Sequence, residues 1–391
     1  NGDTISLGNK MLKTIKNANL SLRGIEVTDG LIYRDNSNLD FTSTSGNNTI
    51  NSISNCGVVI NGNASVFGAG SAKFADNTTF NIKNVIVRAN ASSALVLGAI
   101  DRVGTLNVNM ENVTIDASEN VEFYALANSV NAKTVNLTLR NVVMNNVSGI
   151  TKTNTGVINL TTLNSTLNGG SDAKLFVSNS GTINVKNSLN TTITGKDKVS
   201  GIVGTNSGTI TITTGNLTVT GESDVAGIAN TNASAGKIEI QNFTISVTAT
   251  NGNASGISIE NTGSIAGTGA NGAVNVTIKS SAIATGIAGE NSGAIENLTL
   301  AGTVSGITAS GIANTNTGSI SGVIINALNV TGDNVTTIAN ENSGNVDVTI
   351  AQNVNLSASN KAGGLFISNQ ATIDKTISIK LNAIIDIASE G

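Results

Sequence analysis

The sequence predicts an all-β chain folded as a right-handed parallel β-solenoid (β-helix), with three short strands per coil and about 14 coils of about 27 residues. Three observations lead there. A ten-residue unit, Gly201-Ile202-Val203-Gly204-Thr205-Asn206-Ser207-Gly208-Thr209-Ile210, returns at Gly256 to Ile265, Gly286 to Ile295, Gly311 to Ile320 and Thr337 to Val346, with a worn copy from Gly364 to Ile373. Between units, Ile, Val and Leu alternate with Thr, Asn and Ser at the period of a half-buried strand. Proline is absent from all 391 residues, as expected where interior strands need every N–H for the neighbouring coil.

Taken in order, residues 1–12 precede the first repeat and are expected to cap or dock, and residues 13–391 form the solenoid. Aligning the apolar residue that closes each unit gives the rungs Ile15, Ile50, Phe80, Leu106, Val135, Ile158, Ile183, Ile210, Ile238, Ile265, Ile295, Ile320, Val346 and Ile373, spaced 23 to 35 residues apart. Within the coil at 201–227, Ile202 opens one strand, and Thr209 to Thr213 and Asn216 to Thr220 alternate as two more. Asn206-Ser207-Gly208 and Thr214-Gly215 supply the turns. Asn-Gly couplets do not separate these strands regularly, which disfavours hairpins. Coiling each unit once instead pairs every strand in parallel with its equivalent, and such connections are right-handed.

The corner before each rung carries Asn131, Asn154, Asn179, Asn206, Asn261, Asn291, Asn316, Asn342 and Asn369, with Asn232 displaced by an insertion. Asn tolerates the left-handed backbone, and its amide can bond the same amide one coil along, so a structural Asn ladder is expected. Gly156, Gly181, Gly208, Gly263, Gly293, Gly318 and Gly344 follow and are expected to hold positive φ.

Composition narrows the function classes. A net charge of −4 gives no electrostatic footprint for nucleic acid, and no apolar run is long enough for a membrane span. Histidine is absent, which removes the commonest general base and metal ligand along with Ser/His and Cys/His nucleophilic sites. The single cysteine, Cys56, reads as a small buried apolar residue and excludes a disulfide framework. Asn1 is not an initiator residue, so a processed secreted chain or a fragment is expected, at an extracellular or cell-surface location.

Gly201-Ile202-Val203-Gly204-Thr205-Asn206-Ser207-Gly208-Thr209-Ile210 resembles the GLUG repeat, Gly-Leu-hydrophobic-Gly followed by Asn-x-Gly-x-Ile, found in bacterial surface proteins, adhesins and secreted proteases. The resemblance covers residues 149–373 directly and 13–148 through spacing. The second Gly of the pattern stands at Gly204 and Gly289, while other coils carry Asn, Ile or Ser there. The resemblance implies an extracellular solenoid stalk and names no ligand.

No catalytic, cofactor or metal site is expected, and an enzyme is disfavoured. The outward position after each rung brings acids together at Asp347 and Asp374, one coil apart, which read as solvated surface acids; a polysaccharide-active pair is the minor alternative. An ice-binding Thr row fits Thr209, Thr211 and Thr213 but breaks at Lys237, Glu239 and Gln241. Asn19, Asn63, Asn90, Asn136, Asn216 and Asn297 are among twenty Asn-x-Ser/Thr triplets, candidate glycosylation sites if the source glycosylates. The alternating apolar stretch Thr376 to Ile387 invites another strand. The expectation is self-association through the N- and C-terminal coils into a cell-surface filament or S-layer-like array; the alternative is an adhesin stalk binding a surface glycan.

Overall fold

The computed structural model describes residues 3–8, 10–13, 19–22, 25–34, 38–41, 50–62, 65–67, 77–101, 104–269, 272–372 and 375–389. Among these every regular element is a strand, and the chain is a parallel β-solenoid whose levels recur about every 27 residues. It divides into two compact units, residues 1–192 and 193–391.

In the first unit the level beginning at Thr105 shows the plan. Strand Thr105–Ala117 alternates buried and outward side chains until Glu111 and Asn112, where two consecutive outward residues mark a bend between a first and a second face. Phe123–Asn131 then forms the third face. Each face pairs in parallel with the next level: Leu106 lies opposite Val135, Ile115 opposite Met144, and Tyr124 opposite Gly149. Alternation points one set of side chains inward, giving a thin core in which Leu106, Val135 and Ile158 are all 0% exposed.

The second unit repeats this plan with greater regularity. Ile210, Ile238, Ile265, Ile295, Ile320 and Val346 follow one another in register on the first face. On the third face, backbone bonds join Ile202, Ile228, Ile257, Ile287, Ile312 and Ile338 into a second apolar column. The two columns are the Ile of "Gly-Ile" and the closing Ile of the repeated unit, both buried.

Several expectations change. About 12 full turns are made where fourteen rungs were counted. Among the described residues the first two levels (Asp3–Ser6 with Met11–Lys13, then Ile25–Thr28 with Leu31–Arg34) carry their remaining strands, Asn19–Leu22 and Asn38–Phe41, as a separate two-stranded parallel sheet, and the last level (Ile377–Leu381 with Ile385–Ser389) pairs on the first two faces only. Three strands are made in levels such as Thr209–Gly221, Val225–Ala226 and Ala229–Asn232, and two in others, such as Thr105–Ala117 with Phe123–Asn131; in both, one strand runs continuously through the bend between the first and second faces. Three rungs were misaligned. Ile50 lies opposite Thr79 and is 52% exposed, Asn51 turns inward, and Ile53 takes the core place opposite Ile82. Phe80 lies opposite Val108, two residues past Leu106. The partner of Val346 is Ile377. Ile15, Ile373, Asp374 and Asn63 lie outside the described residues.

The corner glycines are also explained differently. No positive φ occurs at Gly156, Gly181, Gly208, Gly263, Gly293, Gly318 or Gly344. A Cβ on Gly293 would sit 2.1 Å from the carbonyl oxygen of Gly263, and one on Gly318 2.1 Å from that of Gly293. These glycines are required because one corner rests directly on the next, leaving no room for a side chain.

Candidate functional site

The repeated Asn builds the expected ladder between the third and first faces. In the second unit Asn206 Nδ2 donates to Asn232 Oδ1 at 2.9 Å, Asn232 to Asn261 at 2.8 Å, and Asn261 to Asn291 at 2.7 Å. Asn291, Asn316, Asn342 and Asn369 continue it at 2.7, 2.7 and 2.9 Å. In the first unit Asn154 donates to Asn179 at 2.7 Å. The amides from Asn206 to Asn342 are at most 2% exposed, and Nδ2 of several also reaches a backbone carbonyl, as Asn261 does that of Ala294 at 3.2 Å. These buried donors and acceptors satisfy one another, which is the condition for keeping amides in a dry interior.

Two memberships change. Asn131 is exposed and donates to Asp101; Val130 occupies the register opposite Asn154. Asn232 belongs to the ladder, because its insertion, closed by the Gly236 N–H to the Ala233 carbonyl, follows the Asn and bulges outward. None of the ladder Asn residues has positive φ.

A set of left-handed Asn residues stands at the bend between the first and second faces. Asn55, Asn84, Asn112, Asn141 and Asn164 have φ of 50° to 54°. Each from Asn84 onward donates to its predecessor at 3.0 Å. This exposed ladder was missed, although its spacings of 28, 29 and 23 residues match the level period. A bend needing αL geometry selects Asn, and stacking then pairs the amides.

The first face of the first unit carries two further amide rows. Asn107 donates to Thr79 at 3.4 Å, Asn136 to Asn107 and Asn159 to Asn136 both at 2.8 Å, and Asn184 to Asn159 at 3.1 Å. Beside it, Asn109 donates to Asn81 at 3.0 Å and Asn81 to Ser52 at 3.4 Å, and Thr138 and Thr161 continue the row in register. The corresponding positions of the second unit are mixed: Thr211, Glu239, Ala266, Glu296, Ser321 and Asp347.

The sequon residues fall in different settings. Asn136 and Asn90 are ladder members, the latter donating to Asn61 at 2.8 Å. Asn216 and Asn297 are exposed, Asn297 with φ of 54°, and Asn19 lies on the strand Asn19–Leu22. Asp347 lies opposite Ser378, so the register does not stack an acid on it. Among the described residues no group of three or more His, Cys, Asp or Glu side chains is placed to hold a metal ion.

Titratable groups with perturbed environments are few. Burial pushes the Cys56 thiol up, and its Sγ contacts the Ser54 carbonyl at 3.1 Å. The Tyr124 hydroxyl, donating at 2.6 Å, and Lys152 hold the Glu122 carboxyl below its ordinary range. Burial first, then the Glu122 carboxylate, pushes the Tyr124 phenol far up. Together they form a local stacking contact on the third face. No family model matches the chain, and neither a curated protein nor a solved structure matches it.

Proposed function

We propose that this chain is an extracellular structural protein, a component of a cell-surface filament or array that assembles by parallel strand addition on exposed apolar edges. The observation that carries this reading is the state of the last level. Val346, Ile350, Val354 and Leu356 are 0–1% exposed, whereas Ile377, Leu381 and Ile387, which lie opposite Val346, Ile350 and Leu356, are 38%, 57% and 49% exposed. Ile384 beside them is 66% exposed. The same residue types are dry where a neighbouring level packs on them and exposed along this edge. In the level of Asp3–Ser6, likewise, Ile5 is 39% exposed while its register partner Val27 is 0% exposed. An apolar parallel edge of this kind is a template for another strand, and a head-to-tail contact between copies propagates. The GLUG-like pattern supports a surface location.

Electron microscopy with sedimentation of the purified 391-residue chain tests the reading. Fibres or sheets are expected, and Leu381→Lys with Ile384→Lys should disperse them without changing the circular dichroism, since both side chains are exposed. Particles that stay monomeric at every concentration would overturn it.

A further inference from the structure

We propose that the first face of the first unit is a binding surface for an uncharged, extended polysaccharide, carried by the rows Thr79, Asn107, Asn136, Asn159, Asn184 and Ser52, Asn81, Asn109, Thr138, Thr161. The proposal does not depend on filament assembly; it rests on how these side chains are spaced, held and left unsaturated.

Spacing comes from the backbone. The parallel register sets successive members of each row one strand apart, roughly 4.8 Å, and the rows are two residues apart along each strand, roughly 6.7 Å. Within a row the amides bond one another, at 2.8 Å for Asn136 to Asn107 and for Asn159 to Asn136. The bonds all run in one direction, each Nδ2 donating toward the lower-numbered neighbour. The side chains are therefore fixed before any ligand arrives, and a ligand meets little of the entropy cost of ordering them.

Chemistry comes from what stacking leaves over. An amide has two N–H donors and two carbonyl lone pairs, and an interior row member such as Asn136 uses one N–H toward Asn107 and one lone pair toward Asn159. What remains is one donor and one acceptor per level, half-buried but open outward. A sugar hydroxyl both donates and accepts, so a chain of linked sugars lying along the stack finds a complementary pair at every level. The two rows contain one charged continuation, Lys186, beyond Thr161 at the end of the second. A neutral polymer loses no ionic hydration on approach, and a polyanion finds no basic track. With no aromatic platform on the face, each level contributes little, and affinity grows with the number of levels engaged.

The test is retention of the full chain on insoluble β-linked glucan and on insoluble β-linked N-acetylglucosamine polymer, with heparin-agarose as the charged contrast. Thr138→Arg with Thr161→Arg places two long side chains across both rows and breaks no amide-to-amide bond. Thr114→Arg with Thr166→Arg carries the same charge on the second face. The expected result is retention on at least one neutral polymer, lowered roughly tenfold by the first pair and unchanged by the second. Circular dichroism of each variant checks folding, and Asn136→Gln, which moves the amide while keeping its chemistry, should lower retention in the event that the first pair fails to fold. No retention on either neutral polymer, equal loss with both pairs, retention on heparin alone, or growth-shaping of ice crystals without polysaccharide retention would each overturn the proposal.

Discussion

Asn261→Asp isolates the contribution of one ladder amide, because the two side chains have the same shape and differ in a single donor group. Asn261 is 1% exposed, accepts from Asn232 at 2.8 Å, and donates to Asn291 Oδ1 at 2.7 Å and to the Ala294 carbonyl at 3.2 Å. A carboxylate keeps the first bond and loses the other two, leaving two buried acceptors facing a negative oxygen. At about 1–3 kcal/mol for each unsatisfied buried group, the penalty is about 2–6 kcal/mol at neutral pH. The introduced carboxyl resists ionising there, so its folded pKa rises above the unfolded value of about 3.9. Stability of such a group is fully present below the unfolded pKa and is lost as pH rises through the folded one. Urea unfolding followed by circular dichroism should therefore show a midpoint well below that of the parent at pH 7, with the gap narrowing below about pH 4. Hydrogen exchange should localise the loosening to Ser258–Asn261 and Ala288–Asn291, since repeat stacks couple nearest neighbours. An unchanged midpoint at pH 7, or a penalty that does not vary with pH, would refute the claim that the ladder is held by directional amide bonds.

Gly293→Ala should destabilise by about 1–3 kcal/mol, since its Cβ would lie 2.1 Å from the Gly263 carbonyl oxygen, whereas Gly170→Ala, with nothing within 4 Å, should change the melting point little. Ser200 Oγ is buried without a partner and stands opposite Ala226, the one gap in a buried hydroxyl column that resumes with Ser255 and Thr285 at 2.7 Å. Ala226→Ser should close that gap and raise the unfolding free energy by about 1 kcal/mol in a urea titration; a lowered value would mean the site has no room. The Glu122 carboxyl is held low by Tyr124 and Lys152, so its stabilising contribution is present above its unfolded pKa and fades as pH falls through the folded one. Tyr124→Phe should raise the Glu122 midpoint in a carboxylate NMR titration.

The second unit was legible because the repeated pattern coincides with the repeated environment. From Gly201 to Val346 the Ile of "Gly-Ile", the corner Asn and the closing Ile recur together, and structure puts each on its counterpart. The first unit was harder for a geometric reason. A slip of one residue exchanges the two sides of a strand, so placing Ile50 on the core turned Asn51 outward when it is buried. A slip of two preserves the alternation, so nothing in the pattern distinguishes Leu106 from Val108 as the partner of Phe80. Glycine was ambiguous for another reason: the same residue serves positive φ and close approach, and only coordinates separate the two. The Asn bends at 84, 112, 141 and 164 did leave a periodic signal, hidden by aligning on apolar residues alone.

The amides show how one rule, like stacked on like, yields different physics according to where the column stands. Inside, Asn154 donates toward the higher-numbered Asn179 and to the Thr182 carbonyl, both amides at most 1% exposed. At the outer bend, in the same unit, Asn164 donates toward the lower-numbered Asn141 and the residues themselves adopt the left-handed conformation. On the flat first face, Asn159 donates toward Asn136 with ordinary extended backbone and unspent hydrogen-bonding capacity facing solvent. The buried column can be lost only at the cost of folding, and the bend column only at the cost of the corner's geometry. The face column makes neither demand, since Thr138 and Thr161 replace Asn in its companion row without disturbing the register. Side chains that the fold does not require, yet that stay amide or hydroxyl and uncharged from level to level, are the ones whose chemistry is available to a partner.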